Sequence, residues 1–450
     1  MSDTNQPLVR AQAAIQAKRY GEGIGICNDV LGGQPDCAPA LALLSVATAH
    51  TGDTQRAIDL MERAVVLHGN DPSWHSNLGL LHRLMYNRQH AVNDCTTAVR
   101  MAPDHPDYLV NLSLAFTDLG QHDQAMACLL RALKFAPDHA DAHLALAQNL
   151  LMRGEFLPGW VEYEWRNLTE AGKNDQVQVA SARWNGMRIP TGRILLIGDQ
   201  GYGDTIQFSR YIPMVAERCS EVILGCSLEI LPLFRDFPGV EHAQSQWDNI
   251  PGHAAYCRLS SLPGIFDTTL ETIPAVVPVV ADTGAVDVWA RRLDALPTGT
   301  FRIGLAWAGR STHSNDRHRS MRLVELSRLG AVSGCSFVSL QKPIPAADTE
   351  AVGLFPGMED LSPGLTDFAE TAALIANLDL VITVDTAIAH VAGALGKPTW
   401  VMLPTDNDWR WMIEHADTPW YPTVRLFRQT MPGDWSGVVE AVAEALVEAK

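Results

Sequence analysis

The stretch Ile194–Phe208 reads ILLIGDQGYGDTIQF: an apolar run, a loop with three glycines, and the start of a helix. A parallel α/β domain that handles a nucleotide or phosphate has this order at its first strand-to-helix turn. Glycines let the backbone bend tightly, and a helix N-terminus offers free N–H groups. Asp204 closes the loop with a negative charge, from which an anion-binding turn gains nothing. This residue is therefore either a helix cap or a catalytic base.

Composition limits the class of protein. With 450 residues, 47% of them apolar, the chain is long enough for two or three packed domains. A net charge of −17 argues against nucleic acid or an anionic membrane surface as the main partner. The eight cysteines are scattered, without a CxxC pair, and indicate buried thiols in a reducing compartment. Because the chain has neither a signal pattern nor a long apolar stretch, we expect a cytoplasmic protein without membrane insertion.

The first third of the chain repeats with a period of 34 residues. Small residues recur at this step at Gly23, Ala57, Ala91, Ala125 and Gly159. Two helices per unit can approach closely only where side chains are small, and the pattern over residues 4–168 resembles the tetratricopeptide repeat. Such arrays present a concave face that binds peptides or proteins. We therefore expect either a protein-binding array or a scaffold that only dimerises or packs on the following domain.

Aromatic residues are concentrated where the repeats end. Trp160, Tyr163, Trp165 and Trp184 lie between residues 156 and 190, where a terminal helix must dock on a new domain. This concentration predicts a packing joint, with an exposed polar loop over residues 169–178.

From residue 193 onward, short apolar runs alternate with helical patterns, as in a parallel sheet buried on both faces. The strand candidates are Ile194–Ile197, Glu221–Gly225, Ile303–Trp307, Phe337–Leu340, Leu380–Val384 and Thr399–Leu403. A Pro-rich connector with one helix, over about 270–300, separates two such regions, and the second again opens with a strand and a glycine loop. Two lobes of this kind imply a cleft at the carboxyl ends of their strands.

Four segments together resemble the bacterial heptosyltransferase-like family, glycosyltransferase family 9, over about residues 183–450. They are GYGDTIQFSRYIP, GLAWAGRSTHSNDRHRSM, SLQK and DLVITVDTAIAHVAGALGKPTWVMLP. The resemblance implies the GT-B fold, two facing Rossmann-like lobes, in a subgroup fused to tetratricopeptide repeats. We therefore expect an α-helical repeat solenoid at 1–168 and a linker at 169–192. An acceptor lobe at 193–285 and a donor lobe at 286–450 would form the α/β module.

The donor lobe has one candidate seat for a diphosphate. Asp385, Thr386 and Ala387 form a turn between a strand and a helix, so the backbone N–H groups of Thr386 and Ala387 lie at a positive helix end. His390 shares a helix face with Thr386 and could reach the same ligand. The resemblance implies that this stretch contacts the phosphates or sugar of the donor. The alternative is a capped helix with a satisfied histidine.

Basic residues are dense between Arg310 and Arg322, in a loop after a buried strand, where arginines can neutralise phosphate. Arg317 and Arg319 match the basic positions of the resembled family best, although a solvated charge run gives the same pattern. Gln341 and Lys342 follow another strand, where they could contact a base or phosphate. The alternative is that Lys342 is an ordinary surface lysine.

The acceptor lobe supplies the candidate base. Glycosyl transfer needs a group that takes the proton of the attacking hydroxyl, and the resemblance implies this role for Asp204. The alternative is an N-cap of a helix that begins at Thr205. Gly201, Gly203 and Gln207 would line the same acceptor-side loop.

No metal or other cofactor is expected, because helix ends and arginines would stabilise the departing diphosphate. Asp406, Asn407 and Asp408 superficially match a DxD metal motif, but they follow a strand of a GT-B domain, so we interpret them as a loop. Three nearby tryptophans suit either stacking on a base or sugar, or core packing: Trp409, Trp411 and Trp420.

The sequence therefore favours a glycosyltransferase that moves a sugar from a nucleotide-sugar to an acceptor, with a protein held by the repeat array as the expected acceptor. Three alternatives stay open. The acceptor could be lipid-linked or a polysaccharide, the lobes could bind a nucleotide without catalysis within a scaffold protein, or the module could be a sugar-nucleotide epimerase.

Overall fold

A computed structural model describes residues 5–174, 177, 179–199, 201–247, 249–311, 315–413 and 415–450. The chain divides into two compact units, Met1–Asn149 and Leu150–Lys450. The predicted order, a helical repeat region followed by a parallel α/β region, is confirmed. Among the described residues, no helix is both long and apolar enough to cross a membrane.

Helices form all the regular structure described in the first unit, in which consecutive helices pack on one another. They are α1 Asn5–Gln16, α2 Tyr20–Gly33, α3 Ala38–His50, α4 Thr54–Leu67, α5 Pro72–Leu84, α6 Arg88–Met101, α7 Pro106–Asp118, α8 His122–Phe135 and α9 Ala140–Met152, which crosses the unit boundary. The predicted small-residue positions lie between helices, where Ala57, Ala91 and Ala125 are completely buried. Gly79 is equally necessary, because a Cβ there would overlap with Cys95.

The turns between paired helices share one unusual backbone conformation. Five residues spaced by 34 all have positive φ: Lys18 (59°), Gly52 (98°), Tyr86 (59°), Gly120 (72°) and Gly154 (79°). The left-handed region suits glycine and strains other residues. The repeat geometry therefore imposes this conformation even where Lys18 and Tyr86 occupy the turn.

The first lobe of the second unit contains a parallel five-stranded sheet of order β1-β5-β2-β3-β4. Its strands are β1 Ala182–Arg183, β2 Ile189–Ile197, β3 Cys219–Gly225, β4 His242–Gln244 and β5 Ala255–Arg258. The helices before and within this lobe are α10 Phe156–Tyr163, α11 Glu170–Asn174, α12 Tyr202–Phe208, α13 Ile212–Ala216 and α14 Leu262–Ile265. Between α12 and α13 lies a 3₁₀ turn, and Pro213 is in the first turn of α13, as a helix-breaking proline predicts.

The second lobe contains a parallel six-stranded sheet of order β11-β10-β9-β6-β7-β8. Its strands are β6 Phe301–Ala306, β7 Cys335–Ser339, β8 Met358–Glu359, β9 Leu380–Val384, β10 Thr399–Leu403 and β11 Val424–Arg428. The helices are α15 Thr283–Leu293, α16 Asp316–Arg319, α17 Thr349–Leu354, α18 Phe368–Ala376, α19 Ala387–Ala394 and α20 Ser436–Ala449. Numbered from β6, the order is the 3-2-1-4-5-6 arrangement of a Rossmann fold.

All six predicted strands are present, and β9 and β10 have the predicted bounds. Sequence reasoning did not find β4, β5 and β11, or the two-residue strands at the sheet edges. In β11 two arginines interrupt the apolar run, and β4 and β5 have only three and four residues. Such strands form because a neighbouring strand offers hydrogen bonds, a cause that local sequence does not contain.

The predicted packing joint is confirmed by Trp160, which is 3% exposed. The loop predicted over residues 169–178 is wrong in part, because Glu170–Asn174 forms helix α11. Its indole Nε1 donates to the carbonyl oxygen of Thr268, 2.9 Å away, in the first lobe. Its ring also meets Trp409 and Trp420 of the second lobe edge-on. Helix α10 is therefore packed against both lobes.

Candidate functional site

The topology of each sheet places a crevice where the strand order reverses. This reversal lies between β2 and β5 in the first lobe and between β6 and β9 in the second. In open parallel sheets, ligands bind outside the carboxyl ends of the strands at this point. The loops after β2 and β9 carry the glycine loop before Asp204 and the Asp385–Thr386 turn, so both predicted sites occupy such positions.

The two lobes meet where α12 contacts α19. A Cβ on Gly203 would stand 2.5 Å from Cδ2 of His390, so only a glycine allows this approach. His390 is 5% exposed, and its Nδ1 lies 3.0 Å from the hydroxyl of Tyr421. In this arrangement the histidine is a lobe-contact residue, which agrees with the satisfied-histidine alternative and not with a direct reach to the donor.

Asp204 is the third residue of α12, and the N-cap is Gly201. The N-cap alternative for Asp204 is therefore wrong, because the helix begins three residues earlier than predicted. Its Oδ1 accepts a hydrogen bond from Nη2 of Arg410, which lies in the second lobe. Its side chain keeps 31% of its surface open to solvent. A carboxylate of the first lobe is thus held by an arginine of the second, at the predicted acceptor side.

Arg410, which sequence reasoning missed, is the centre of a hydrogen-bonded cluster. Besides Asp204, its Nε donates to Oε1 of Gln207 at 2.8 Å, and its Nη1 donates to Oδ1 of Asp408 at 2.8 Å. Gln207 was expected to line the acceptor loop, but it is completely buried beneath this cluster. The signal that could have identified Arg410 was its place in a polar loop after the carboxyl end of β10. Because tryptophans flank it, the local pattern indicated core packing instead.

The DxD-like residues are all engaged by other side chains, in agreement with the loop interpretation. Asp406 lies 2.9 Å from Nδ1 of His318, Asn407 accepts from Arg428, and Asp408 pairs with Arg410. The three tryptophans nearby, Trp409, Trp411 and Trp420, are at most 2% exposed. They are core residues, so the stacking alternative is wrong for them.

Burial governs the electrostatics of the cluster. It raises the pKa of Asp204 to about 6, against the opposing charge of Arg410. It also raises the pKa of Asp385, to which repulsion by Asp408 contributes and which Arg319 opposes. Burial and nearby arginines lower the pKa of His390 to about 3, so its imidazole is neutral at physiological pH. Carboxyl groups with raised pKa values in a cleft are typical of a functional site.

The donor-side turn is built as predicted. Thr386 is the N-cap of α19, with its hydroxyl 3.3 Å from the backbone nitrogen of Ile388, and Ala387 is the first helical residue. Among the predicted arginines, Arg319 approaches this turn: its side chain is 15% exposed, and its charge acts on Asp385. Gly309 makes room for it, since a Cβ there would stand 2.8 Å from Nη2 of Arg319. Among the described residues, Nε of Arg319 has no hydrogen-bond partner.

The other basic residues of 310–322 do not form one cationic patch. Arg310 donates to the hydroxyl of Tyr202 at 2.9 Å, and Arg322 pairs with the buried Asp348. Arg317 lies exposed on α16. His313, counted in this cluster, lies outside the described residues. Of the two arginines singled out, Arg319 is the one whose charge acts on Asp385 in the turn.

Gln341 and Lys342 have structural partners instead of an open ligand position. The Gln341 amide is 3% exposed and makes hydrogen bonds to backbone atoms of Trp307, Ala308 and Pro343. Lys342 donates to the carbonyl oxygen of Leu365. The expected direct contact of Gln341 with a ligand is therefore wrong, since its side chain fixes the loop after β6.

Comparison with known proteins is consistent with this architecture. The model of glycosyltransferase family 9 (heptosyltransferase) matches residues 352–403, from α17 to the end of β10. Tetratricopeptide repeat models match residues 8–73 and 114–154. Protein FlbA of Caulobacter vibrioides is 26% identical over an alignment that covers 97% of this chain and 71% of that protein.

Solved structures similar to the chain match about two fifths of it. MamA is 17% identical, with a TM-score of 0.32, over 37% of this chain and 97% of its own. A thermophilic TPR protein of Thermus thermophilus, TTC0263, is 19% identical, with a TM-score of 0.35, over 38% of this chain and 94% of its own.

Proposed function

We propose that the chain transfers a sugar from a nucleotide-sugar to an acceptor in the cleft of its two lobes. The proposal is supported by the match of residues 352–403 to glycosyltransferase family 9 and of residues 8–73 and 114–154 to tetratricopeptide repeats. The observation that carries the proposal is the position of Asp204. A partly open carboxylate of one lobe lies beside the contact of its helix with α19, and Asp385, in the turn before α19, acts on its charge.

The donor diphosphate binds at the N-terminus of α19. The groups placed there are the backbone N–H groups of Thr386 and Ala387 and the guanidinium of Arg319, which also pairs with Asp316 at 3.7 Å. They stabilise the negative charge that develops on the leaving diphosphate, so the step needs no metal ion. Asp385 stands beside this position, and the positive charge of Arg319 opposes part of its negative charge.

Asp204 acts as the base. The acceptor oxygen forms a bond to the anomeric carbon, the bond from that carbon to the diphosphate oxygen breaks, and the acceptor proton passes to the carboxylate. The nucleoside diphosphate leaves with the bonding electron pair. A base with a pKa of about 6 is ionised at neutral pH and is still basic enough to take the proton.

The acceptor is a protein that the repeat array recruits in the cytoplasm. Repeat arrays of this type supply extended binding surfaces, which a transferase for small acceptors does not need. Mass spectrometry of cells that express the wild type or Asp204→Asn tests this part. A sugar on protein that appears only with the wild type supports it. A sugar found only on lipid-linked or polysaccharide material contradicts it.

Donor binding is tested by thermal unfolding with UDP-glucose, GDP-mannose, ADP-glucose and CMP-sialic acid. At about 100 times its dissociation constant, a bound donor stabilises the protein by ~2.7 kcal/mol. Arg319→Ala should weaken that stabilisation, whereas Arg328→Ala, which removes an exposed pair with Glu440, should not. If none of the four nucleotides stabilises the wild type, the proposed function loses its basis.

The base is tested with the same donors. Asp204→Asn should keep the stabilisation by nucleotide and lose transfer by ~10²-fold or more, as expected for removal of a general base. An asparagine variant with full transfer activity would contradict the role of Asp204.

A further inference from the structure

Arg410 connects the two lobes at Asp204, the proposed catalytic base. It follows β10 in the second lobe, its side chain is 9% exposed, and its three nitrogens each donate to a different residue. Gln207 and Asp408 hold the guanidinium on two sides, so its position does not depend on Asp204 alone. The planar guanidinium then presents its third donor, Nη2, to one fixed point.

We infer that Arg410 is a positioning residue for sugar transfer, which binds Oδ1 of Asp204 and thereby leaves Oδ2 as the atom that accepts the proton. The inference rests on the proposed function and adds a second residue to its chemistry. Gly201 supports the orientation, because a Cβ at this position would overlap with Oδ2. Oδ2 of Asp204 therefore lies over Gly201, in space that the side chain of any other residue at position 201 would fill.

The charges around Asp204 explain why it needs this partner. Several titratable groups shift the pKa of Asp204 or have their own pKa shifted by its charge. They are Arg410, Asp199, Asp408, Asp385, Tyr163 and Tyr421. Within this set, Arg410 is the one cation and three members are carboxyl groups. Without Arg410, ionisation of Asp204 would place a further negative charge among acids in a poorly solvated site. Asp204 would then be protonated and could not take the proton of the attacking hydroxyl.

Two substitutions with opposite expected effects test this inference without any donor. In protein labelled with [¹³C]aspartate at the carboxyl carbon, the signal of Asp204 is assigned by its loss in Asp204→Asn. Arg410→Gln should move the pKa of Asp204 upward from about 6, by ~1–3 pH units for loss of an adjacent opposite charge. Asp408→Asn should move it downward, because a neighbouring negative charge is removed. Arg328→Gln, on an exposed pair far along the chain, should leave it unchanged.

Activity supplies the second readout, with whichever of the four nucleotide-sugars stabilises the wild type. Arg410→Gln should lower kcat by ~2- to 90-fold at pH 7, because a rise of ~1–3 units in the pKa of Asp204 reduces its ionised fraction by these factors. It should leave KM for the donor nearly unchanged and move the acid limb of the pH profile upward. Arg410→Lys should recover part of the rate, since it keeps the charge but lacks the planar fork whose three nitrogens reach three different residues.

The outcomes separate the two ideas. If no nucleotide-sugar binds or reacts with the wild type, the proposed function fails, whatever the titration gives. If the wild type is active but Arg410→Gln keeps its rate and its pH profile, the positioning role is wrong. Should Arg410→Gln fail to fold, Asp408→Asn decides, and a pKa of Asp204 that rises or stays constant in that variant overturns the inference.

Discussion

Gly203→Ala is the perturbation that tests the contact between the lobes most directly. The added Cβ would stand 2.5 Å from Cδ2 of His390, about 1 Å closer than an ordinary carbon contact of ~3.5–4.0 Å. The histidine ring has little room to yield, because it is buried, bonded to Tyr421 and 5.6 Å from the ring of Trp411. The strain must therefore be relieved by a shift of α12 against α19, of about 1 Å.

Such a shift has two measurable consequences. Overpacking of a buried contact costs ~1–3 kcal/mol, and loss of about 1 Å of alignment between lobes costs ~10²-fold in rate. The contact between Asp204 and Arg410 crosses the same interface and loosens with it. We expect a lower melting temperature and a lower kcat, measured by calorimetry and by transfer from the stabilising donor.

Gly437→Ala is the matched control, since this glycine of α20 has open space around its Cβ position. It should leave activity unchanged and stabilise the protein by up to about 1 kcal/mol through helix propensity. A double-mutant cycle with His390→Ala then identifies the cause. If the two side chains overlap, the pair should show a coupling of ~0.5–3 kcal/mol. A Gly203→Ala protein that is as stable and as active as the wild type refutes this reasoning.

Three further predictions concern stability. Lys18→Gly should stabilise the repeat region by ~0.5–1 kcal/mol in urea unfolding, because Lys18 is exposed at φ 59°, while Lys18→Ala should give no such gain. Trp160→Ala should cost ~3–5 kcal/mol by the same method, whereas Val161→Ala, 68% exposed on the same helix, should change stability by less than ~0.5 kcal/mol. The pKa of His390 is lowered from 6.5 to about 3, so the stability it contributes is complete above pH 6.5 and is lost as the pH falls toward 3. The wild type should therefore lose more stability than His390→Gln between pH 7 and pH 5, by at most ~1.4 kcal/mol per pH unit, and equal losses would contradict this assignment.

Local patterns predicted the fold well where one local cause determines the structure. The small residues that recur every 34 positions predicted the paired helices, because a buried Ala57 or Ala91 is required by close helix contact whatever lies elsewhere. The apolar runs of β9 and β10 are buried on both faces and therefore carry their own signal. Strand β11 carries none, since it is defined by its pairing with β10.

The candidate site was predictable only in part, for the same reason. Asp204, Thr386 and Ala387 lie between a strand and the first turn of the next helix, so the sequence places them at the carboxyl edges of the sheets. Gln341 also follows a strand, yet its amide is bound to the backbone of the neighbouring loop. Nothing in the local pattern distinguishes a polar side chain that faces a ligand from one that completes the hydrogen bonds of a buried loop.

Arg410 marks the limit of sequence reasoning, because its role depends on residues from both lobes. Its partners Gln207 and Asp204 are about 200 residues away in the chain, and their meeting depends on Gly203 allowing α12 to contact His390. A buried arginine between two tryptophans has the pattern of a packing residue, and Arg410 does contact the ring of Trp409. The hydrogen bonds of Asp204, Asp408 and Gln207 to one guanidinium are what distinguish Arg410 from a packing residue. The three hydrogen bonds of the guanidinium offset the cost of burying this charge, and they fix it where it can orient the proposed base across the cleft.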